Sequence, residues 1–96
     1  VKYIGEVLEN GETKEVGKFV LDGEKFDKIE KTVKSGTILT VEAQDTEDYY
    51  FVSWSDYEQS STRTNEIVED TTYVARYSKK ITYRLVTNSV TNNKPK

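Results

Sequence analysis

Asp56 and Glu58 are the first residues whose type and spacing suggest chemistry. Two carboxylates close together are what glycoside hydrolysis uses, one as acid and one as base or nucleophile. That chemistry also needs a cleft that shifts one pKa away from the other, and no cleft-forming pattern surrounds them. Ser55, Ser60 and Ser61 offer hydroxyl nucleophiles. The chain has no histidine to activate one, and no G-x-S-x-G frames any of them. Asp45, Glu47 and Asp48 gather oxygens in one stretch, as calcium requires, but the spacing matches no EF-hand loop and the turn glycine is missing. With no cysteine either, thiolate metal sites and disulfides are excluded. A Lys–Asn isopeptide cross-link would need a pairing that sequence does not reveal. The chemistry-bearing residues therefore point to a non-enzymatic protein without cofactor or metal.

Composition narrows the class further. The 96 residues are 34% hydrophobic and 32% charged, with a net charge of −3. A basic stripe is what nucleic acid requires, and Lys79-Lys80 is the only basic pair that stands out, so nucleic acid is not an expected partner. No apolar run approaches the ~20 residues of a membrane span. The chain starts at Val1 with no visible signal peptide, as either a processed product or an excised segment would. The apolar content is lean for a single small domain, so one tryptophan, three phenylalanines and seven tyrosines must supply much of the buried area.

The elements that would carry these residues read mainly as β. Val1–Glu9 is a strand, Asn10-Gly11 a hairpin turn, and Val16–Leu21 a second strand. Asp22-Gly23 signals another turn. Residues 24–34 carry two competing patterns. Phe26, Ile29 and Val33, with the pairs Glu24–Lys28, Asp27–Lys31 and Glu30–Lys34, suit a short helix. Ile29, Lys31 and Val33 suit a strand. Thr37–Ala43 is β-branched and alternating. Tyr49–Trp54 is the aromatic strand. Phe51 and Trp54 are three apart, so burying both requires a bulge or strand end between them. Residues 55–65 read as a polar loop and Glu66–Glu69 as a short strand. Tyr73, Ala75 and Tyr77 share a face of the strand from Thr72. Ile81, Tyr83 and Leu85 alternate again, and residues 88–96 read as a mobile tail.

The rings at Phe51, Trp54, Tyr73 and Tyr77 could form a carbohydrate-stacking platform. In so lean a domain they are needed for packing, so Phe51, Trp54, Tyr73, Ala75 and Tyr77 are assigned to the core. Tyr50, of opposite parity, and Tyr57, in the loop, are the candidate contacts for a ligand or partner, with Arg63 beside them. The glycines at 5, 11, 17 and 23 recur by coincidence, since two of them sit in turn dipeptides and two in strands.

Residues 16–77 resemble the divergent internalin-type B-repeats of bacterial surface proteins. The shared pattern is F-x-x-W-S, often W-S-D, a polar loop, then V-x-x-D-x-T-Y-x-A-x-F/Y. Its positions here are Phe51, Trp54, Ser55, Asp56, Val68, Thr71 or Thr72, Tyr73, Ala75 and Tyr77. Upstream, Thr32, Val33 and Gly36, then Thr40 to Ala43, follow the same family. Arg63 and Asn65 fit its R-x-D/N. Where the family often has glycine, this chain has Asp48 and Tyr57. The resemblance implies a small β-rich fold, β-grasp-like or a compact β-sandwich, over residues 16–80. Residues 1–15 would then be an N-terminal strand or hairpin, or a linker from a preceding unit. Residues 81–96 would be a C-terminal strand and tail, or the start of a following unit. The implied role is a spacer or adhesion module, extracellular or on the cell surface. Its partners would be neighbouring repeats, other protein domains or surface ligands, glycans included. The rival readings are a virus or phage head-fibre or decoration domain, a carbohydrate-binding module, and a cytosolic domain of unrelated role.

Overall fold

A computed structural model describes residues 1–81. The strand expected from Ile81 and the tail reading fall, but for Ile81 itself, outside the described residues. Among the described residues nine strands follow in order: β1 Lys2–Glu9, β2 Glu12–Val16, β3 Phe19–Leu21, β4 Glu24–Phe26, β5 Ile29–Glu30, β6 Thr37–Ala43, β7 Tyr49–Trp54, β8 Thr62–Ile67 and β9 Thr72–Lys79. They form two sheets, β2-β1-β9-β7 with β5 also on β1, and β4-β3-β6-β8. The inner faces meet in one core, so the fold is a compact β-sandwich. No helix occurs among the described residues, which sets aside the β-grasp alternative, and none of those residues forms a helix long and apolar enough to cross a membrane.

Two turns set the hairpins. Asn10 and Gly11 take φ of 54° and 79°, and Asp22 and Gly23 take 54° and 80°. Positive φ at both central residues matches the right-handed twist of the flanking strands. The first turn pairs β1 with β2, the second β3 with β4. The single strand expected over Val16–Leu21 is broken instead. Gly17, at φ 143°, carries the chain from the first sheet to the second.

Residues 24–34 hold two short strands, β4 and β5, with a bend at Asp27 and Lys28 between them, and the helix alternative fails. Each acid–base pair along such a helix is worth only about 0.2–0.5 kcal/mol. Against that, the Asp22-Gly23 turn lays β4 on β3, and Ile29 is buried opposite Tyr3 of β1. Burying one isoleucine is worth roughly 1.5–3 kcal/mol.

β8 starts at Thr62, inside the expected polar loop, and Val68 and Glu69 lie beyond its end. The pattern hid it because two polar residues, Arg63 and Asn65, share a face with Ile67, while Thr62, Thr64 and Glu66 occupy the other. β8 pairs β6 along its whole length, Glu42 opposite Thr62 and Thr37 opposite Ile67.

The bulge between Phe51 and Trp54 is present. Phe51 lies opposite Tyr77 and Trp54 opposite Ala75, with the register shift between Phe51 and Ser53. The extra residue turns the Trp54 indole inward, where it is 1% exposed. Tyr3, Phe19 and Trp54 are the largest fully buried side chains. Trp54 meets Tyr3 edge-on at 6.1 Å, Phe19 at 6.0 Å and Phe51 at 5.8 Å. Ala75 and Tyr77 are also buried, and Phe51 and Tyr73 pack half-buried against them.

β1 is not peripheral. It sits inside the first sheet, antiparallel to β2 and parallel to β9. Gly5 allows this closeness, since a Cβ there would collide with the Val16 carbonyl and stand 2.8 Å from the Tyr77 ring.

Candidate functional site

The motif residues converge where the β7–β8 connection crosses between the sheets. Asp56 lies just beyond β7, Arg63 on β8, and Tyr73 on β9. The Arg63 guanidinium donates to both carboxylate oxygens of Asp56, at 3.0 and 2.7 Å, and through Nε to Asn65 Oδ1 at 2.7 Å. Its flat face lies over two rings, 4.3 Å from the Tyr73 centroid and 5.0 Å from that of Trp54. Planarity and a fork of donors make arginine the residue for such a position. Arg63 holds the Asp56 carboxyl below the usual carboxylate range.

The loop from Ser55 to Ser61 is fastened at many points. Trp54 Nε1–H donates to the Ser60 carbonyl at 3.0 Å, and Ser60 N–H to the Glu58 carboxylate at 3.1 Å. Trp54 N–H reaches the Glu58 carbonyl at 2.8 Å, and Tyr57 N–H the Trp54 carbonyl at 3.0 Å. This tight turn forces φ of 73° on Tyr57. Left-handed backbone strongly favours glycine, and Tyr57 is a position where the resembled pattern often has one. Its ring is 86% exposed.

The three candidate contact residues thus separate. Arg63 is 9% exposed and belongs to the packed cluster. Tyr57 projects from the loop tip. Tyr50, 43% exposed, stands on the outer face of β7 opposite Ser78. Three of the five carboxylates that suggested chemistry are engaged in shaping loops: Asp56 by Arg63, Glu58 by Ser60, and Asp45 by the Phe51 N–H at 2.9 Å. With Thr46 Oγ1 on Tyr49 N–H at 3.1 Å and the Glu58 carbonyl on Trp54, these groups close the free edge of β7 against further pairing. A groove of about 370 Å³, lined by Val1, Val33, Ile67, Val68 and Asp70 among others, lies between residues 31–35 and 68–70.

A second polar node joins four strands of the first sheet. Glu9 pairs with Lys14 at 2.9 Å and Lys79 at 3.2 Å, and accepts from the Tyr49 hydroxyl at 3.2 Å. No sequence signal marks it, because its partners come from 5 to 70 residues away. The lysines and the tyrosine bring the Glu9 carboxyl down to about 2. A carboxyl depressed in the folded state stabilises the fold at neutral pH. That contribution begins to fall as pH drops below the unfolded value of ~4.3 and is gone near 2. Chemical denaturation between pH 6 and 2 is expected to show a shallower acid loss in Glu9→Gln than in the parent, with the difference shrinking in high salt.

Burial also acts on two tyrosines. Tyr3 is pushed up to about 12, by desolvation first and then by Tyr73. Tyr77 is raised chiefly by desolvation, and its hydroxyl donates to the Gln44 carbonyl at 2.8 Å, tying the two sheets together.

Comparisons with protein-family models, with curated proteins and with solved structures return no match. The chain is a small two-sheet β-sandwich with an arginine-centred aromatic cluster.

Proposed function

We propose that this chain is a spacer and interaction module of a bacterial surface protein, of the internalin B-repeat kind. It acts outside the cell or on its surface, and not as an enzyme. The observation that carries this reading is the parallel pairing of β1 with β9. The chain enters at one end of the sandwich and leaves at the other, about 26 Å further on for an eight-residue strand. A module strung between neighbours needs that geometry. The cluster of Trp54, Asp56, Arg63, Asn65 and Tyr73 supports the reading too. It gives a common packing reason for the W-S-D, R-x-N and T-Y positions of the resembled pattern. Peptide mapping and intact mass of the native polypeptide test it. Tandem copies of F-x-x-W-S and D-x-T-Y-x-A-x-Y in a long chain are expected. A short chain found in particles overturns it in favour of a viral decoration domain.

Tyr57 favours a second role, contact with a glycan or a partner protein. A fastened loop holds an aromatic ring in solvent at a backbone angle suited to glycine, at a local cost of roughly 1 kcal/mol or more. Tyr57→Gly is expected to raise stability by about 1 kcal/mol and to abolish binding across a panel of glycans and surface proteins. Unchanged binding would remove Tyr57 from the contact.

A further inference from the structure

We infer that the β1–β9 pair is a mechanical clamp, the element through which tension along a string of such modules is borne. The inference rests on the spacer reading for the source of the load, and on the sheet topology for the device itself. Tension applied at the two ends pulls β1 toward its start and β9 toward its finish. The strands lie side by side and parallel, Lys2 opposite Thr72 through Val7 opposite Tyr77. Opposed pulls on parallel neighbours load the ladder in shear. The evenly spaced bonds of a parallel ladder then share the force and must fail together. In an antiparallel hairpin pulled at its open end, the bonds would fail one at a time.

Three further features suit this role. The shear plane lies in the middle of the sheet, with β2 and β5 fastened to β1 and β7 fastened to β9. Each half therefore moves as a block. Water is kept from the inner side of the ladder by Tyr3, Val7, Ala75 and Tyr77, all buried, with Trp54 across Tyr3. On the outer side Ile4 and Val74 face each other half-buried. Both ends of the plane are pinned. At the entry end Lys2 N–H donates to the Thr71 carbonyl at 2.9 Å. At the exit end Glu9 of β1 is paired with Lys79 of β9 at 3.2 Å. On the β9 side of the plane, the Lys80 N–H and ammonium hold the Asp48 and Thr46 carbonyls at 2.8 and 2.7 Å, tying the end of β9 to the residues that lead into β7. Sliding under load separates Glu9 from Lys79 directly.

Single-molecule force spectroscopy on the 96-residue chain tests this with one sequence pulled two ways. The parent chain has no cysteine, so Glu69→Cys, at an exposed site before β9, gives a unique attachment point. Pulling between the two chain ends shears the β1–β9 pair. Pulling between the first residue and position 69 peels it from Lys2–Thr72 onward. At equal loading rate the shear geometry is expected to rupture at about two-fold higher force or more, since forced unfolding follows the barrier along the pulled coordinate. Glu9→Gln should lower the end-to-end force and leave the peeling force unchanged, because the Glu9–Lys79 contact is the last to open in peeling. End-to-end rupture at or below the peeling force would overturn the clamp. A weak clamp in a chain with tandem copies would refute this inference alone. A strong clamp in a chain without them would leave the clamp standing and refute the spacer reading.

Discussion

Trp54→Ala is expected to cost about 3–5 kcal/mol, a large share of the roughly 5–15 kcal/mol that holds an ordinary domain folded. The indole is 1% exposed and contacts Tyr3, Phe19 and Phe51. Truncation opens a cavity between the sheets that β7 cannot fill, because the bulge and the Ala75 pairing fix its backbone. The Ser60 carbonyl loses its donor and Arg63 loses one of its two rings. Trp54→Phe separates these parts, keeping most of the apolar area and losing the N–H donor. Its expected cost is roughly 1–3 kcal/mol. Urea unfolding followed by circular dichroism measures both. A folded Trp54→Ala variant of near-parent stability would refute the core role.

Arg63→Ala is expected to cost about 2–4 kcal/mol, combining hydrogen bonds to a charged partner with stacking on two rings. The informative contrast is with its neighbours. Arg63→Met keeps a long apolar stem over Trp54 and Tyr73 and leaves Asp56, 53% exposed at its side chain, free to be hydrated. It should cost less than Arg63→Ala. Asp56→Ala leaves a buried guanidinium with Asn65 as its one remaining hydrogen-bond acceptor among the described residues, beside the Trp54 and Tyr73 rings. Its cost is expected at about 1–3 kcal/mol, below that of a fully buried pair because Asp56 reaches solvent. A double-mutant cycle of Arg63→Met with Asp56→Ala gives the pair's coupling. Coupling near zero with a large Arg63→Ala cost would assign the role of Arg63 to packing alone.

Loss of this cluster should also loosen the β7–β8 connection. Tyr57 depends on the tight turn from Trp54 to Glu58 for its backbone angle. A residue buried in the cluster therefore positions the ring that projects from it. Arg63 reaches the loop through Asp56, the residue before Tyr57, without being exposed itself.

Features governed by local physics were readable from the chain. Asn10-Gly11 and Asp22-Gly23 specify turns because few residues tolerate positive φ at adjacent positions. Alternation over Thr37–Ala43 and Tyr73–Tyr77 marks strands with one buried face. Parity arithmetic on Phe51 and Trp54 requires a bulge, whatever the partner strand. What was not readable depends on residues distant in sequence. Residues 24–34 satisfy a helical pattern, and their two short strands are set by pairing with β3 and β1. β8 was obscured because Arg63 and Asn65 face inward, and their burial is tolerable only with Asp56 and two rings at hand. The Glu9 node draws on four strands. The parallel register of β1 with β9, on which both the proposed role and the clamp depend, joins residues about 70 positions apart. By itself the sequence determined the β class, the turns, the bulge and the aromatic supply of the core, since those follow from backbone sterics and side-chain periodicity. The tertiary structure decided which strands lie side by side, which charges are buried and where the chain enters and leaves. Those outcomes minimise the free energy of the whole packed domain, and no local segment contains it.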